Sequence, residues 1–158
     1  REAERFVGGE TGSVVPSAGG ADEGERCVLT PIVCYDLRFP ECFRAGVGGG
    51  SEVFAVIANW PEDRASHWRA LCIARAIENQ SYVLGVNRCG RDPKFGYAGG
   101  SLVVDPMGEV VAEAGGHEQV LSCDIDLASL RAWRERFPAL RDRTDGPIRA
   151  ERADPDGP

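Results

Sequence analysis

Cys34 ends an apolar run, Cys27–Cys34, and is followed at once by Tyr35-Asp36-Leu37-Arg38-Phe39-Pro40-Glu41. A thiol at the carboxyl end of a strand, where the chain turns sharply into a helix, is placed for nucleophilic chemistry. Ligand and catalytic groups in α/β sheets gather at those strand ends. The backbone N–H groups after the turn can stabilise an oxyanion, and a helix N-terminus favours the thiolate. The competing reading is a buried cysteine on a core strand. Position alone does not separate the two.

Other side chains could join such a site. Asn59-Trp60-Pro61 closes a second apolar run, Val53–Ala58, so Trp60 is read as a wall of the same pocket rather than as loop packing. Arg64 either binds a substrate carboxylate, since a guanidinium grips one bidentately, or is a solvated loop charge. Arg38 and Glu41 are read as buttresses of the turn. His67 and His117 are the two histidines. A Cys–His pair would suggest a papain-like thiol hydrolase, but His67 sits in the first turn of a predicted helix and is read as capping or packing it. Arg75 and Glu78 lie on the inward side of that helix, where buried charges need partners, so they are expected to pair. Asp105 is expected to be a turn residue. No His and Cys spacing suits a zinc site, and no cofactor is expected.

These residues need elements to hold them. Cys27–Cys34 and Val53–Ala58 read as strands buried on both faces. Between them Pro40–Val47 reads as a short helix ended by Gly48-Gly49-Gly50. Ser66–Asn79 is the clearest amphipathic helix, with Ser66 as its expected N-cap. Tyr82–Val86 reads as a third strand and Arg88–Ala98 as a polar loop. Ser101–Asp105 and Glu109–Glu113 flank Pro106-Met107-Gly108 as a hairpin. Val120–Ile125 reads as a strand and Leu127–Phe137 as a helix closed by Pro138. Arg1–Arg26 reads as loop, and residues 144–158 as a flexible polar tail. The order implies an α/β layered domain.

The 158 residues suffice for one core, and 42% apolar and 8% aromatic residues are ordinary for a globular protein. A formal charge of −7 argues against nonspecific nucleic-acid or membrane-surface partners. No apolar run approaches the roughly 20 residues of a membrane span. The six cysteines, Cys27, Cys34, Cys42, Cys72, Cys89 and Cys123, include no Cys-x-x-Cys pair. Five of them are expected to be small buried hydrophobes of a reduced, cytoplasmic protein. Arg1 is not an initiator methionine and residues 1–10 have no apolar h-region, so the sequence is expected to begin inside something longer.

CYDLRFPE, then ANWPEDRASHWRALCIARAIENQSYVLGVNRCG, then GGSLVVDPMGEVV, together resemble the nitrilase or carbon–nitrogen hydrolase superfamily, in its omega-amidase-like branch. The resemblance runs from about Cys27 to Arg143. Its weight lies in three motifs in order, not in any one. It implies a four-layer αββα sandwich, commonly paired through helices into dimers. It implies hydrolysis of a non-peptide amide or nitrile C–N bond, in this branch of a small carboxylated amide, by a cysteine thioester with release of ammonia. A glutamate base and an oxyanion-supporting lysine complete the family's site. Cys34 matches the nucleophile, and the Tyr35 N–H would help form the oxyanion hole. Glu10 falls near an auxiliary, substrate-positioning glutamate; the plainer reading is a solvated charge in a Gly-rich loop.

The chemistry is coherent. A neutral amide is a poor electrophile, so its cleavage needs a strong nucleophile, proton transfer to nitrogen and charge stabilisation. Yet the lysine of the resemblance precedes the cysteine, and the base glutamate lies further upstream. Here the only lysine is Lys94, after Cys34. Residues 1–143 are therefore expected to be the C-terminal portion of such a domain, inactive alone. The alternative is a degenerate, non-catalytic scaffold or assembly subunit of the same fold.

Overall fold

The computed structural model describes residues 15–17 and 26–144. Its centre is a six-stranded mixed sheet with strands β1 (Val15–Ser17), β2 (Cys27–Val33), β3 (Val53–Ala58), β4 (Tyr82–Asn87), β7 (Leu102–Val104) and β8 (Val110–Glu113), adjacent in that order. β2, β3 and β4 run parallel, and β1, β7 and β8 are antiparallel to their neighbours. Helix α1 (Pro40–Gly48) joins β2 to β3, and α2 (Ala65–Asn79) joins β3 to β4. A parallel pair cannot be closed by a tight turn, so each crossover takes a helix. Pro31 is tolerated in β2 because β1 pairs only with Cys27–Leu29. The missing N–H falls beyond the end of that neighbour.

Both crossover helices cover one face of the sheet. Ile32, Phe54, Val56, Val83, Leu102 and Val104 point into it and pack against Phe43 and Val47 of α1 and Trp68, Cys72 and Ala76 of α2. The close approach of α2 depends on Gly85. A Cβ there would lie 2.9 Å from the Trp68 ring and 3.2 Å from the Cys72 sulfur. On the opposite face, Val53, Tyr82 and Val103 pack under Leu127 and Leu130 of α3 (Leu127–Arg136). Asp126 caps α3, accepting from the Ser129 N–H at 2.8 Å. Arg134 of α3 reaches the end of α2, donating to the Gln80, Ser51 and Asn79 carbonyls and to the Ser81 hydroxyl. A cation there satisfies the orphan carbonyls of a helix C-terminus.

Several expectations change. β2 and β3, expected to be buried on both faces, are covered on both only in their amino-terminal halves. Val33, Ile57 and Val86 are register partners and are 56%, 54% and 55% exposed. α3 shields only the amino-terminal half of that face, so the apolar row at the carboxyl ends stays open. The stretch read as loop before Arg26 contains β1. Arg88–Ala98 is a small hairpin, β5 (Cys89–Arg91) paired with β6 (Gly96–Ala98). Val120–Ile125 is not a strand. Leu121 and Ile125 pack onto the sheet face, so that backbone crosses over the sheet rather than pairing beside it. Ser66 is not an N-cap; the helix begins at Ala65 and its cap position, Arg64, has no side-chain capping bond. Of the six cysteines, all free, only Cys72 is buried, pressed between α2 and Gly85 of β4; Cys27, Cys34, Cys42 and Cys89 are partly accessible and Cys123 is exposed. Residues 145–158, nearly all of the expected tail, lie outside the described residues.

Candidate active site

The strand ends converge where the sequence places its nucleophile. Val33 sits opposite Ile57, and Ala58 opposite Asn87. The next residues out, Cys34, Asn59-Trp60 and Arg88, therefore share one rim. At Cys34 the strand stops and a 3-10 turn, Cys34–Arg38, begins. Cys34 has φ of 43°, the left-handed region that a non-glycine residue enters at a cost of about 1–3 kcal/mol. Such strain persists only where the surroundings over-determine it. Here Leu37 is fully buried beneath the turn, the Phe39 N–H closes onto the Asp36 carbonyl at 2.9 Å, and Pro40 opens α1. Tyr35, next to Cys34, is exposed, its ring edge-on to Phe39.

Trp60 is 3% exposed. It packs on Trp68 with ring centroids 5.8 Å apart, and its indole N–H donates to the Arg64 carbonyl at 2.8 Å. The Arg38 guanidinium lies 4.7 Å over the Trp60 ring. Trp60 thus supports the rim from below, while Arg38 covers it. Arg64 ends a 3-10 turn, Glu62–Arg64, with its side chain exposed. His67 is exposed on α2. Arg75 and Glu78 do pair, at 2.8 Å, and Asp105 is a turn residue, accepting from the Met107 and Glu109 N–H groups. Glu10 lies outside the described residues. Cys34, Tyr35, Trp60 and Arg64 therefore come to one end of the sheet.

Two features escape the sequence reading. Asn87 locks the rim: its side-chain oxygen accepts from the Trp60 N–H at 2.8 Å, and its amide donates to the Trp60 and Gly99 carbonyls. A polar residue ending the apolar run YVLGVN is its only sequence signal. The second is the β5–β6 hairpin. Asp92 accepts from the Tyr97 hydroxyl at 2.6 Å and from the Lys94 and Phe95 N–H groups. These bonds, the Tyr97 one foremost, hold its carboxyl down at about 2. Arg88 lies 4.5 Å over the Tyr97 ring and pairs with Asp92 at 3.5 Å. The Tyr97 hydroxyl is pushed up chiefly by its bond to Asp92. Arg91 ties the hairpin to the Glu62–Arg64 turn through Glu62 at 3.7 Å. Asp92-Pro93 was its signal, an Asx-turn start.

Among the described residues, no group of three or more His, Cys, Asp or Glu side chains could hold a metal ion, and no helix is long and apolar enough to cross a membrane.

A family model described as carbon–nitrogen hydrolase matches residues 1–135. The chain belongs to the carbon–nitrogen hydrolase family. It is 43% identical over 129 residues to the 2-oxoglutaramate amidase of Bacillus subtilis, covering 80% of this chain and 50% of that relative. It is 45% identical over 116 residues to the omega-amidase YafV of Escherichia coli, covering 72% of this chain and 44% of that one. The fold matches a CN-hydrolase superfamily protein of Xanthomonas campestris, solved with an arsenic adduct in its active site. The TM-score is 0.81 at 36% identity, over 93% of this chain and 56% of that one. The chain spans about half the length of the curated relatives it matches. In this carbon–nitrogen hydrolase chain, the α/β fold stands as the resemblance implied.

Thiol chemistry gives a first test of the site. Burial pushes the Cys72 thiol up to about 12, so at pH 8 only about one in 10⁴ is thiolate, the reactive form. Burial, aided by Asp36 and Glu41, also raises Cys42. Iodoacetamide at pH 8, followed by peptide mass spectrometry, will modify Cys34 well before Cys42 and Cys72. Modification of Cys72 first would remove Cys34 as the nucleophile.

Proposed function

We propose that these residues form the nucleophile-bearing half of an omega-amidase-like hydrolase acting on a small carboxylated amide. The observation that carries this reading is Cys34 itself, held at φ 43° on a turn at the carboxyl ends of three parallel strands. The similarity to amidases of the same family supports it.

The Cys34 sulfur attacks the amide carbon, and the Tyr35 N–H faces the oxyanion that forms. The C–N bond then breaks, and the nitrogen leaves as ammonia after taking up a proton. Water attacks the resulting thioester, the C–S bond breaks, and the thiol and a carboxylic acid are released. Trp60 and Arg38 shape the rim. Arg64 takes the substrate carboxylate, with Glu10 as an auxiliary positioner. The glutamate base and the lysine that the resemblance requires come from outside residues 1–158. Their layer would cover the open row Val33, Ile57 and Val86, completing the αββα sandwich of a cytoplasmic enzyme that pairs as a dimer.

The test is amide hydrolysis by the protein as its gene encodes it. Ammonia release from succinamate is expected, and Cys34→Ala abolishes it. Arg64→Ala is expected to lower kcat/KM for carboxylated amides by roughly ten- to a hundredfold, the value of a charge-assisted bond of about 1.5–3 kcal/mol, and to spare neutral amides. Equal losses on both would assign Arg64 to structure. Turnover that survives Cys34→Ala would refute the mechanism, and no turnover at all would favour the scaffold reading.

A further inference from the structure

Arg75 is the buried cation closest in connection to the nucleophile. It is 6% exposed and reaches from α2 under the Cys34–Arg38 turn. Its Nε donates to the Leu37 carbonyl at 3.0 Å, and its Nη1 to Glu78 at 2.8 Å. Its guanidinium lies 5.4 Å over the Phe43 ring of α1, and its own carbonyl accepts from the Asn79 amide at 2.9 Å.

The Leu37 carbonyl explains why such a group is needed. The last carbonyls of a helical turn have no partner within it. Leu37 is fully buried, so water cannot serve its carbonyl, and an orphaned buried acceptor is costly. Here the acceptor belongs to the same five-residue turn that begins with Cys34. A charge-assisted bond at its far end, with the guanidinium seated over Phe43, holds the whole turn to the body of α2. That anchorage is what can keep Cys34 in a left-handed conformation.

We propose that Arg75 is a positioning residue for the nucleophile: through the Leu37 carbonyl it holds the turn that presents the Cys34 thiol and aims the N–H groups behind it. The proposal rests on the reading of Cys34 as nucleophile. Without the bond the turn relaxes out of the left-handed region, and the thiol turns toward the core residues it already touches.

The experiment compares Arg75→Met, Arg75→Lys and Glu78→Gln in the protein as encoded, with two readouts beside a denaturation midpoint. The first is the rate of Cys34 alkylation by iodoacetamide relative to Cys89, which Arg75 does not touch. The second is kcat and KM for succinamate. Arg75→Met is expected to slow Cys34 alkylation about tenfold or more and to lower kcat by roughly ten- to a hundredfold with KM nearly unchanged, the scale of a small misplacement of reacting groups. Arg75→Lys, which can still donate to Leu37, recovers part of both. Glu78→Gln keeps the Leu37 bond, so it lowers the midpoint while leaving alkylation and kcat close to wild type. A folded Arg75→Met protein with wild-type alkylation overturns the proposal. So does a Glu78→Gln variant slowed as much as the Arg75 variants. If Arg75→Met does not fold, the contrast between Arg75→Lys and Glu78→Gln decides. If the wild type shows no Cys34-dependent turnover, the enzymatic reading fails on its own, and the alkylation ratios still judge Arg75.

Discussion

Residues 1–158, produced alone, will release no ammonia from succinamate above a Cys34→Ala control. The nucleophile is present, but no lysine precedes it, and no residue here matches the family's base glutamate. Losing one oxyanion-hole donor costs about 10²–10³ in rate, and losing general acid–base catalysis costs roughly 10²–10⁴. The two losses need not multiply, yet the smaller alone leaves little to detect. The same chain will self-associate. Val33, Ile57 and Val86 form an apolar row more than half exposed, beside an open cleft of about 460 Å³ between Leu84, Leu102, Leu121 and Ile125. Continuous apolar surface of this kind marks an interface. Light scattering or size-exclusion chromatography reads the association. Cys34-dependent turnover by these residues alone would show that a base and an oxyanion donor exist among them. Lys94, Glu10 and His67 would then be the suspects, and the half-site reading would fall.

Phe54→Ala will destabilise the protein by about 3–5 kcal/mol, the usual cost of removing a buried aromatic ring together with the cavity it leaves. Phe54 is fully buried on the helix-covered face of β3. Its ring meets Phe43 with centroids 4.8 Å apart. It also fills the space over Gly46, where a Cβ would lie 2.7 Å from the ring. α1 packs tightly through that gap, so the site cannot collapse around a missing ring. The loss also reaches the rim, because Phe43 in turn supports the Arg75 guanidinium. Urea unfolding measures the change, and Cys34 alkylation in the folded variant reports the effect on the turn. A loss under about 1.5 kcal/mol, within the range of conservative swaps, would show that Phe54 is not a pillar of this core.

The sequence by itself determined most of the elements and singled out Cys34 as the candidate nucleophile. Apolar runs bounded by Asn-Trp-Pro and Gly-Gly-Gly, one strong helical period and a Pro-Met-Gly turn are local signals, and each produced the element it foretold. Cys34 was legible because a thiol, a turn and a proline follow one another along the chain. The pairing of Arg75 with Glu78 followed from helical spacing alone. Tertiary structure decided what no local signal carries. Burial of a strand on both faces depends on how many layers pack over it, so Val33 and Ile57 looked like core and stand exposed. Val120–Ile125 has strand-like composition, but its apolar side chains found a sheet face rather than a sheet edge. The bonds from Arg75 to the Leu37 carbonyl, from Asn87 to Trp60 and from Arg134 to the end of α2 join residues 38, 27 and about 54 positions apart. Such partners are brought together by the packing of β2, β3 and β4 with the helices around them. That packing sets the shape of the turn on which Cys34 sits.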